Sequence, residues 1–165
     1  MAFLLDANVI SETVRPRPDK TVLYWIESRI PSDLFLAAQT IGELVRGAWK
    51  VREQARRERF ERWIGHDLAR QFEGRILPFD TSTAAVRGRL MGDGDRTGRR
   101  PSTADAQIAA VAIQHDLTLA TGNVKDFRNF GIRVLDPWQN PEDGQWVFNH
   151  CTRVSPTTTH RGNRA

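Results

Sequence analysis

The chain has 165 residues, 39% hydrophobic and 27% charged, which is the length and balance of a single soluble globular domain. Its single cysteine, Cys151, excludes an internal disulfide, and no apolar run is long enough to cross a bilayer, so we expect a cytoplasmic protein with no membrane contact. The formal net charge is +4, but residues 145–165 hold three arginines and no acid, which leaves only +1 for the first 144 residues and excludes a strongly basic core.

Short apolar runs without polar alternation predict buried parallel strands. These runs cover residues 3–5, 34–38, 76–80, 117–121 and 132–135. Pro78 lies in the third run and favours an edge position, because proline cannot donate a ladder hydrogen bond.

Between the strands, apolar residues recur with helical spacing. The predicted helices cover residues 19–30, about 40–49, 50–73, 81–90 and 103–115. The glycine-rich stretch 92–101 is predicted to be a loop. Strands that alternate with helices indicate one α/β domain over residues 1–140, with a central parallel sheet of about five strands covered on both faces. Residues 141–165 are polar and basic, and we expect a mobile extension there.

Acidic and polar residues lie at the carboxyl ends of these strands or in the first turns of helices. They are Asp6, Glu43, Asp105, Asn123 and Asp126. Ligands gather beyond the carboxyl ends of strands in an open parallel sheet. Clustered carboxylates repel one another unless a cation joins them, and Mg²⁺ and Mn²⁺ favour carboxylate and water oxygens. Because no serine or cysteine triad is visible, the pattern favours metal-assisted hydrolysis.

Taken singly, most of these acids also fit ordinary helix starts. The capping-box pattern matches Thr40 to Glu43, and more loosely Ser102 to Asp105 and Asn123 to Asp126. Asp80 is expected to be an N-cap of the helix that comes after it. Asp6 is the exception, because an acid directly after a buried strand needs a partner or a solvated cleft.

A set of ordered motifs covers nearly all of residues 3–138. The motifs are Leu-Leu-Asp-Ala-Asn-Val-Ile-Ser-Glu at 4–12, Thr-Ile-Gly-Glu-Leu-Val-Arg-Gly at 40–47, Arg-Ile-Leu-Pro-Phe-Asp at 75–80, Asp-Ala-Gln-Ile-Ala-Ala at 105–110, Leu-Ala-Thr-Gly-Asn-Val-Lys-Asp-Phe at 119–127 and Val-Leu-Asp-Pro-Trp at 134–138. Together they resemble PIN-domain toxins of the VapC and FitB type. This resemblance implies a PIN-like α/β/α domain that cleaves RNA phosphodiesters with Mg²⁺ or Mn²⁺. It also implies the toxin of a bacterial type II toxin–antitoxin pair, a small DNA-binding antitoxin as partner, and a homodimer.

The same resemblance assigns the acidic site. Asp6 and Asp105 would be the principal metal ligands, and Glu43 would ligate through water or orient the nucleophile. Asn123 completes the catalytic set, where the family often has an aspartate, and its carbonyl can hold a water or a cation without adding charge. Asp126 is the alternative candidate for the position assigned to Asn123.

Other polar residues support the predicted site. Asn8 belongs to the Asp-x-Asn opening, and Thr40 is placed to hydrogen-bond across the site if it is not a helix cap. Basic side chains near the motifs can contact RNA phosphates, although solvated surface charge is the better explanation for any single one of them. They are Arg46, Arg99, Arg100 and Lys125, with Arg96 nearby. The helical stretches 50–72 and 82–91 are, by resemblance, the expected dimer and antitoxin surfaces.

Two other functions stay open. Asn123 in place of an acid is compatible with a catalytically weak PIN-like module that binds RNA or protein. A small-molecule phosphatase on a Rossmann-like sheet is the second alternative, although Asp6-Ala7-Asn8 lacks the second aspartate that such an opening would carry. A Walker A loop and a Gly-x-Gly-x-x-Gly turn are both absent from the sequence.

Overall fold

The computed structural model describes residues 1–139, so the predicted extension 141–165 lies outside the described residues. Its strands are β1 Phe3–Leu5, β2 Leu34–Ala37, β3 Ile76–Leu77, β4 Thr118–Ala120 and β5 Val134–Leu135. All of them pair in parallel, in the order β3-β2-β1-β4-β5. The predicted α/β fold with a parallel sheet is confirmed, and β3, the strand before Pro78, lies at an edge as expected.

The strand order reverses between β1 and β4. From β1 the chain winds outward through β2 to β3, then returns to the other side of β1 with β4 and continues to β5. In an open parallel sheet this switch point opens a crevice beyond the carboxyl ends of the two strands. The residues directly after β1 and β4, Asp6 and Thr121, therefore face the natural ligand site of the fold.

Helices cover both faces of the sheet. In chain order, α1 to α8 are Ala7–Ile10, Lys20–Glu27, Ala38–Trp49, Gln54–Arg62, Ala69–Gln71, Thr81–Thr97, Thr103–Gln114 and Val124–Phe127. A 3₁₀ turn at Ser11–Val14 succeeds α1, and a π-helical segment at Trp63–Leu68 joins α4 to α5. No helix within residues 1–139 is both long and apolar enough to cross a membrane.

Each strand contributes to two cores because successive side chains point to opposite faces. Phe3 and Leu5 belong to the cluster beneath α1, α2, α3 and the π-helical segment, which we call the first core. Leu4 belongs to the cluster beneath α7 and α8, the second core. Burial on both faces explains why these strands lack polar alternation.

Several predicted element bounds were wrong: the helix predicted over 19–30 ends at Glu27, for example, and the strand predicted over 76–80 ends at Leu77. The helix after β2 begins at Ala38 rather than near Thr40, and the helix predicted over 50–73 begins only at Gln54. The glycine-rich stretch 92–101 is not a loop, because α6 continues to Thr97 and ends at a left-handed Gly98. Gly94 allows this, since a Cβ there would stand 2.5 Å from the Cδ of Pro101.

Candidate active site

Asp6 is the most buried acid of the site, with 5% of its surface exposed. As N-cap of α1, it accepts a hydrogen bond from the Ala7 amide at 2.7 Å on Oδ1. Its Oδ2 accepts from Asn8 Nδ2 at 2.8 Å and from Thr121 Oγ1 at 2.5 Å. Burial raises the pKa of Asp6, these hydrogen bonds oppose that rise, and the charge of Asp105 adds to it. The partner that the sequence required for Asp6 is therefore a polar network.

Thr121 is the residue that the sequence analysis missed. It is fully buried directly after β4, where its Oγ1 donates to Asp6 and accepts from Asn8 Nδ2 and from the Asn123 amide, both at 3.1 Å. One hydroxyl thus joins the carboxyl ends of β1 and β4. Like Asp6, Thr121 is a polar side chain directly after a buried strand, so the same sequence pattern could have identified it.

Asn8 closes this network from the side of α1. Its amide nitrogen donates to Asp6 and to Thr121, and its Oδ1 accepts from the Gly122 amide at 3.3 Å. The turn after β4 is thereby tied to Asp6 through both its hydroxyl and its backbone. This geometry fits the supporting position predicted for Asn8.

Asp105 and Glu43 approach Asp6 from two different helices. Asp105 lies in the first turn of α7, where its amide donates to the N-cap Ser102 Oγ at 3.1 Å and its Oδ2 accepts from that hydroxyl at 2.5 Å. Glu43 lies on α3 and is half-buried. Burial raises the pKa of Glu43, the charges of Asp6 and Asp105 raise it further, and Arg46 opposes the rise. The three carboxylates therefore share one electrostatic environment.

This set of donors fits a hydrated divalent cation better than a closed cage. Within residues 1–139, no three acidic, histidine or cysteine side chains stand close enough together to hold one cation directly. Mg²⁺ keeps several waters and is commonly held by one or two carboxylates, so a third acid can act through a water. Burial is the main cause of the raised pKa values of Asp6 and Glu43, and repulsion between the carboxylates adds to it; a bound cation would offset both by neutralising the negative charge.

The capping-box interpretations have different outcomes. Thr40 is not a cap, because α3 begins two residues earlier, and its buried Oγ1 donates instead to the Leu5 carbonyl at 3.4 Å. Ser102 is the N-cap of α7 as expected, and Asp80 caps α6 by accepting from the Thr83 amide at 2.9 Å. Asn123 stands at the N-cap position of α8 but makes no capping bond with its side chain.

The two residues predicted to complete the site beside the three acids, Asn123 and Asp126, are exposed. Asn123 and Asp126 both face solvent, and neither alters the pKa of Asp6 or Glu43. The Asp126 amide donates to the Asn123 carbonyl at 3.0 Å, which ties the two residues together as the first turn of α8. Asn123 touches the network only through its own amide, at Thr121.

A cleft of about 830 Å³ opens on the Asp105 side of the site, between the α6–α7 turn and α8; we call it the polar cleft. The basic residues that line it are Arg99, Arg100, Lys125 and Arg128. Arg100 pairs with Asp95 at 3.2 Å, and nearby Arg96 pairs with Asp93 at 2.5 Å. Arg99 and Lys125 form no ion pair with any residue from 1 to 139.

A groove of about 380 Å³ opens on the Glu43 side, between the segment from α1 to Pro16 and the helices α3 and α4; we call it the apolar groove. Its walls include Leu44, Phe60, Trp63 and Ile64, with Glu43 and Asn8 also in its lining. Arg15 also lines it and pairs with the buried Glu12, whose Oε2 accepts from the Asp19 amide at 2.8 Å. Two chemically different surfaces thus reach the acidic site, the polar cleft at Asp105 and the apolar groove at Glu43.

Comparison with known proteins places this site in context. The model of the PIN domain family matches residues 3–132. The toxin FitB of Neisseria gonorrhoeae is 36% identical over 138 residues, which cover 84% of this chain and 99% of FitB. The crystal structure of FitAcB from the same organism superposes with a TM-score of 0.78 over 83% of this chain and 99% of that one.

Two further relatives show the same relation. The VapC ribonuclease Y4jK of Sinorhizobium fredii is 33% identical over 137 residues, which cover 83% of this chain and 98% of Y4jK. A chain of a toxin–antitoxin complex from Klebsiella pneumoniae is 25% identical and superposes with a TM-score of 0.60, over 83% of this chain and 98% of that one.

Proposed function

The chain belongs to the PIN domain family, whose model matches most of the described residues, and from this premise we propose that it is a metal-dependent ribonuclease. It acts as the toxin of a type II toxin–antitoxin pair in the cytoplasm. The observation that carries the proposal is that Asp6, Glu43 and Asp105 lie close enough to interact electrostatically. The charge of Asp105 adds to the raised pKa of Asp6, and the charges of Asp6 and Asp105 add to that of Glu43. The curated relatives named as a toxin and as a ribonuclease support it.

The chain's own residues divide the catalytic work. Asp6 and Asp105 would hold the cation, and Glu43 would ligate it through a water or orient the attacking water. Asn8 and Thr121 keep the Asp6 carboxylate in one orientation through their hydrogen bonds to its Oδ2. Asn123 positions a further water through its amide carbonyl. When bound, Mg²⁺ or Mn²⁺ activates water and neutralises charge that develops on the phosphodiester.

The polar cleft binds the RNA strand beside the scissile phosphate. Arg99 and Lys125 contribute phosphate contacts, because no acid within the described residues neutralises them. Arg100 contributes less, since Asp95 competes for its guanidinium. Arg46 lies near Glu43, and its positive charge offsets that of the acids rather than binding RNA.

The partner is a small antitoxin, and its apolar segment binds the apolar groove. The solved complex from Klebsiella pneumoniae supports a toxin–antitoxin assembly for this chain. Phe60 and Trp63 line that groove from the predicted 50–72 surface, and an apolar segment seated there would reach Glu43. We also expect a homodimer, for which Val45 and Trp49, 37% and 63% exposed on one face of α3, offer an apolar surface.

The test is the substitution Asp6→Asn, which keeps the size of the side chain and one acceptor oxygen but removes the charge. Cleavage of RNA in Mg²⁺ or Mn²⁺ should fall by about 1,000-fold, roughly 4 kcal/mol of transition-state stabilisation. Asp105→Asn should do the same, and Glu43→Gln should cost about 10- to 100-fold, as expected for a group that acts through water. The matched control is Asp19→Asn, an N-cap of α2 that asparagine replaces without loss.

Each alternative function has its own signature in this experiment. A binding module would retain RNA or protein in pull-down assays yet give no divalent-dependent cleavage products with the unsubstituted chain. A phosphatase would release phosphate from a small monoester such as p-nitrophenyl phosphate and leave RNA intact. Full RNA cleavage by Asp6→Asn would overturn the assignment of the acids.

A further inference from the structure

Gly122 occupies the turn between β4 and α8, at the centre of the Asp6 network. Its amide donates to Asn8 Oδ1. The residues on either side of it are joined by a hydrogen bond from the Asn123 amide to Thr121 Oγ1. A displacement of this turn would therefore move the Thr121 and Asn8 groups that hold the Asp6 carboxylate. The position of the turn matters for the acid even though Gly122 has no side chain.

The indole of Trp138 lies directly against Gly122. A Cβ built at Gly122 would stand 3.0 Å from Cζ3 and 3.2 Å from Cε3 of that ring, closer than nearly all real Cβ contacts. The φ angle of Gly122 is not in the left-handed region, so its backbone conformation does not demand glycine. The close approach of the ring is therefore the reason that this turn carries glycine.

Trp138 is itself held in place. Its side chain is partly buried against the first core, and its amide donates to Asp136 Oδ1 at 2.9 Å in the segment after β5. The preceding Pro137 is buried and limits the backbone of that segment. The ring therefore packs against the first core on one side and against Gly122, in the turn after β4, on the other.

We propose that Trp138 is a positioning residue for the acidic site, which it serves by fixing the turn at Gly122 and, through Thr121 and Asn8, the orientation of Asp6. This inference rests on the proposed function, because it assigns the ring a role in cation binding by that site. Trp138 touches neither the carboxylates nor the substrate. Its contribution is to restrict Asp6 to the orientation in which the carboxylate can hold a cation.

The experiment measures Mn²⁺ binding by the purified full chain, from the electron paramagnetic resonance signal of free Mn²⁺, alongside thermal unfolding and RNA cleavage. Trp138→Ala should weaken Mn²⁺ binding by about tenfold, in the range seen for residues that orient metal ligands. Trp138→Phe should restore it to within about threefold, since a smaller ring still reaches the turn. The matched control is Ile26→Ala on α2, which removes another partly buried apolar side chain packed against the first core and should leave Mn²⁺ affinity unchanged.

Gly122→Ala tests the same contact from the other side and adds one methyl at an exposed turn. It should weaken Mn²⁺ binding by about tenfold in the natural chain and by much less in a Trp138→Leu background, where the methyl has room. Equal costs of Gly122→Ala in both backgrounds would overturn the inference. So would equal Mn²⁺ affinity in Trp138→Ala and the natural chain.

The outcomes also separate this inference from the proposed function. If the natural chain binds Mn²⁺ and cleaves RNA but the Trp138 and Gly122 variants match it, only the role of the ring is wrong. If the natural chain neither binds Mn²⁺ nor cleaves RNA, the proposed function fails, and the role of the ring fails with it.

Discussion

The polar cleft and the apolar groove reach the acidic site from two sides, at Asp105 and at Glu43, and they differ in how their walls are made. Charged side chains and the turn before α7 line the polar cleft, where cationic side chains are available to phosphates. Side chains that project from α3, α4 and the π-helical segment line the apolar groove, which gains free energy when an apolar segment displaces its water. This difference supports the proposal that the polar cleft binds a nucleic acid and the apolar groove binds an inhibitory protein.

The largest effect expected from breaking this comparison is in the apolar groove. Phe60→Ser should weaken binding of the proposed antitoxin by about 10- to 100-fold, because a central aromatic side chain commonly dominates a protein interface. Isothermal titration calorimetry gives the affinity. Tyr24→Ser on α2, where the ring is 60% exposed, is the matched control for loss of a surface aromatic. Equal affinities for the two variants would remove the groove from the interface.

The polar cleft should respond to loss of charge, with a smaller effect. Arg99→Ala and Lys125→Ala should each raise the KM for single-stranded RNA by about three- to tenfold with little change in kcat, because they contact phosphates that do not react. The slope of log affinity against log salt should fall by about 0.7 for each cation removed.

The control for these variants comes from the other surface. Arg56 lines the apolar groove and lies 5.8 Å from the centre of the Phe60 ring. Arg56→Ala removes the same charge, so it should leave the KM and the salt slope for RNA unchanged. An effect as large as that of Arg99→Ala would mean that RNA is held by diffuse charge rather than by the polar cleft.

The smallest expected effect is on stability, and it concerns the acids between the two surfaces. The pKa values of Asp6 and Glu43 are raised from their ordinary 3.8 and 4.5, so the folded chain retains protons that the unfolded chain has already released. The free energy of unfolding should therefore fall as pH rises from the ordinary pKa values through the raised values of the folded state, and it should stay lower above them. In EDTA, the melting temperature of the natural chain should decline by a few degrees relative to Asp6→Asn between pH 4 and pH 7.

A divalent cation should reverse this decline, because it binds the ionised acids of the folded state. Adding Mg²⁺ at pH 7 should therefore raise the melting temperature of the natural chain and leave that of Asp6→Asn nearly unchanged. A difference between the two chains that is the same at every pH would show that hydrogen bonds to Asn8 and Thr121, and not charge, account for it.

The sequence predicted the sheet well because its signals are local. The apolar composition of runs such as Phe3–Leu5 is enough to predict that they are buried. Pro78 indicates an edge strand because it has no amide hydrogen to donate. Helix ends were predicted less well, since they depend on contacts between distant residues. The stretch 92–101 looks like a loop by composition, yet α6 continues to Thr97, and Gly94 in that helix packs closely against Pro101.

The sequence by itself determined the kind of fold and the candidate acids, since both depend on apolar runs and on the residue types directly after each run. Only the tertiary structure decided that Thr121 and Asn8 hold Asp6, that Thr40 bonds to Leu5 instead of capping a helix, and that Trp138 lies against Gly122. These contacts join residues up to 115 positions apart, as in the bond from Thr121 to Asp6. No local pattern encodes such a pairing, because it exists only when β1 and β4 lie side by side and bring their carboxyl ends together.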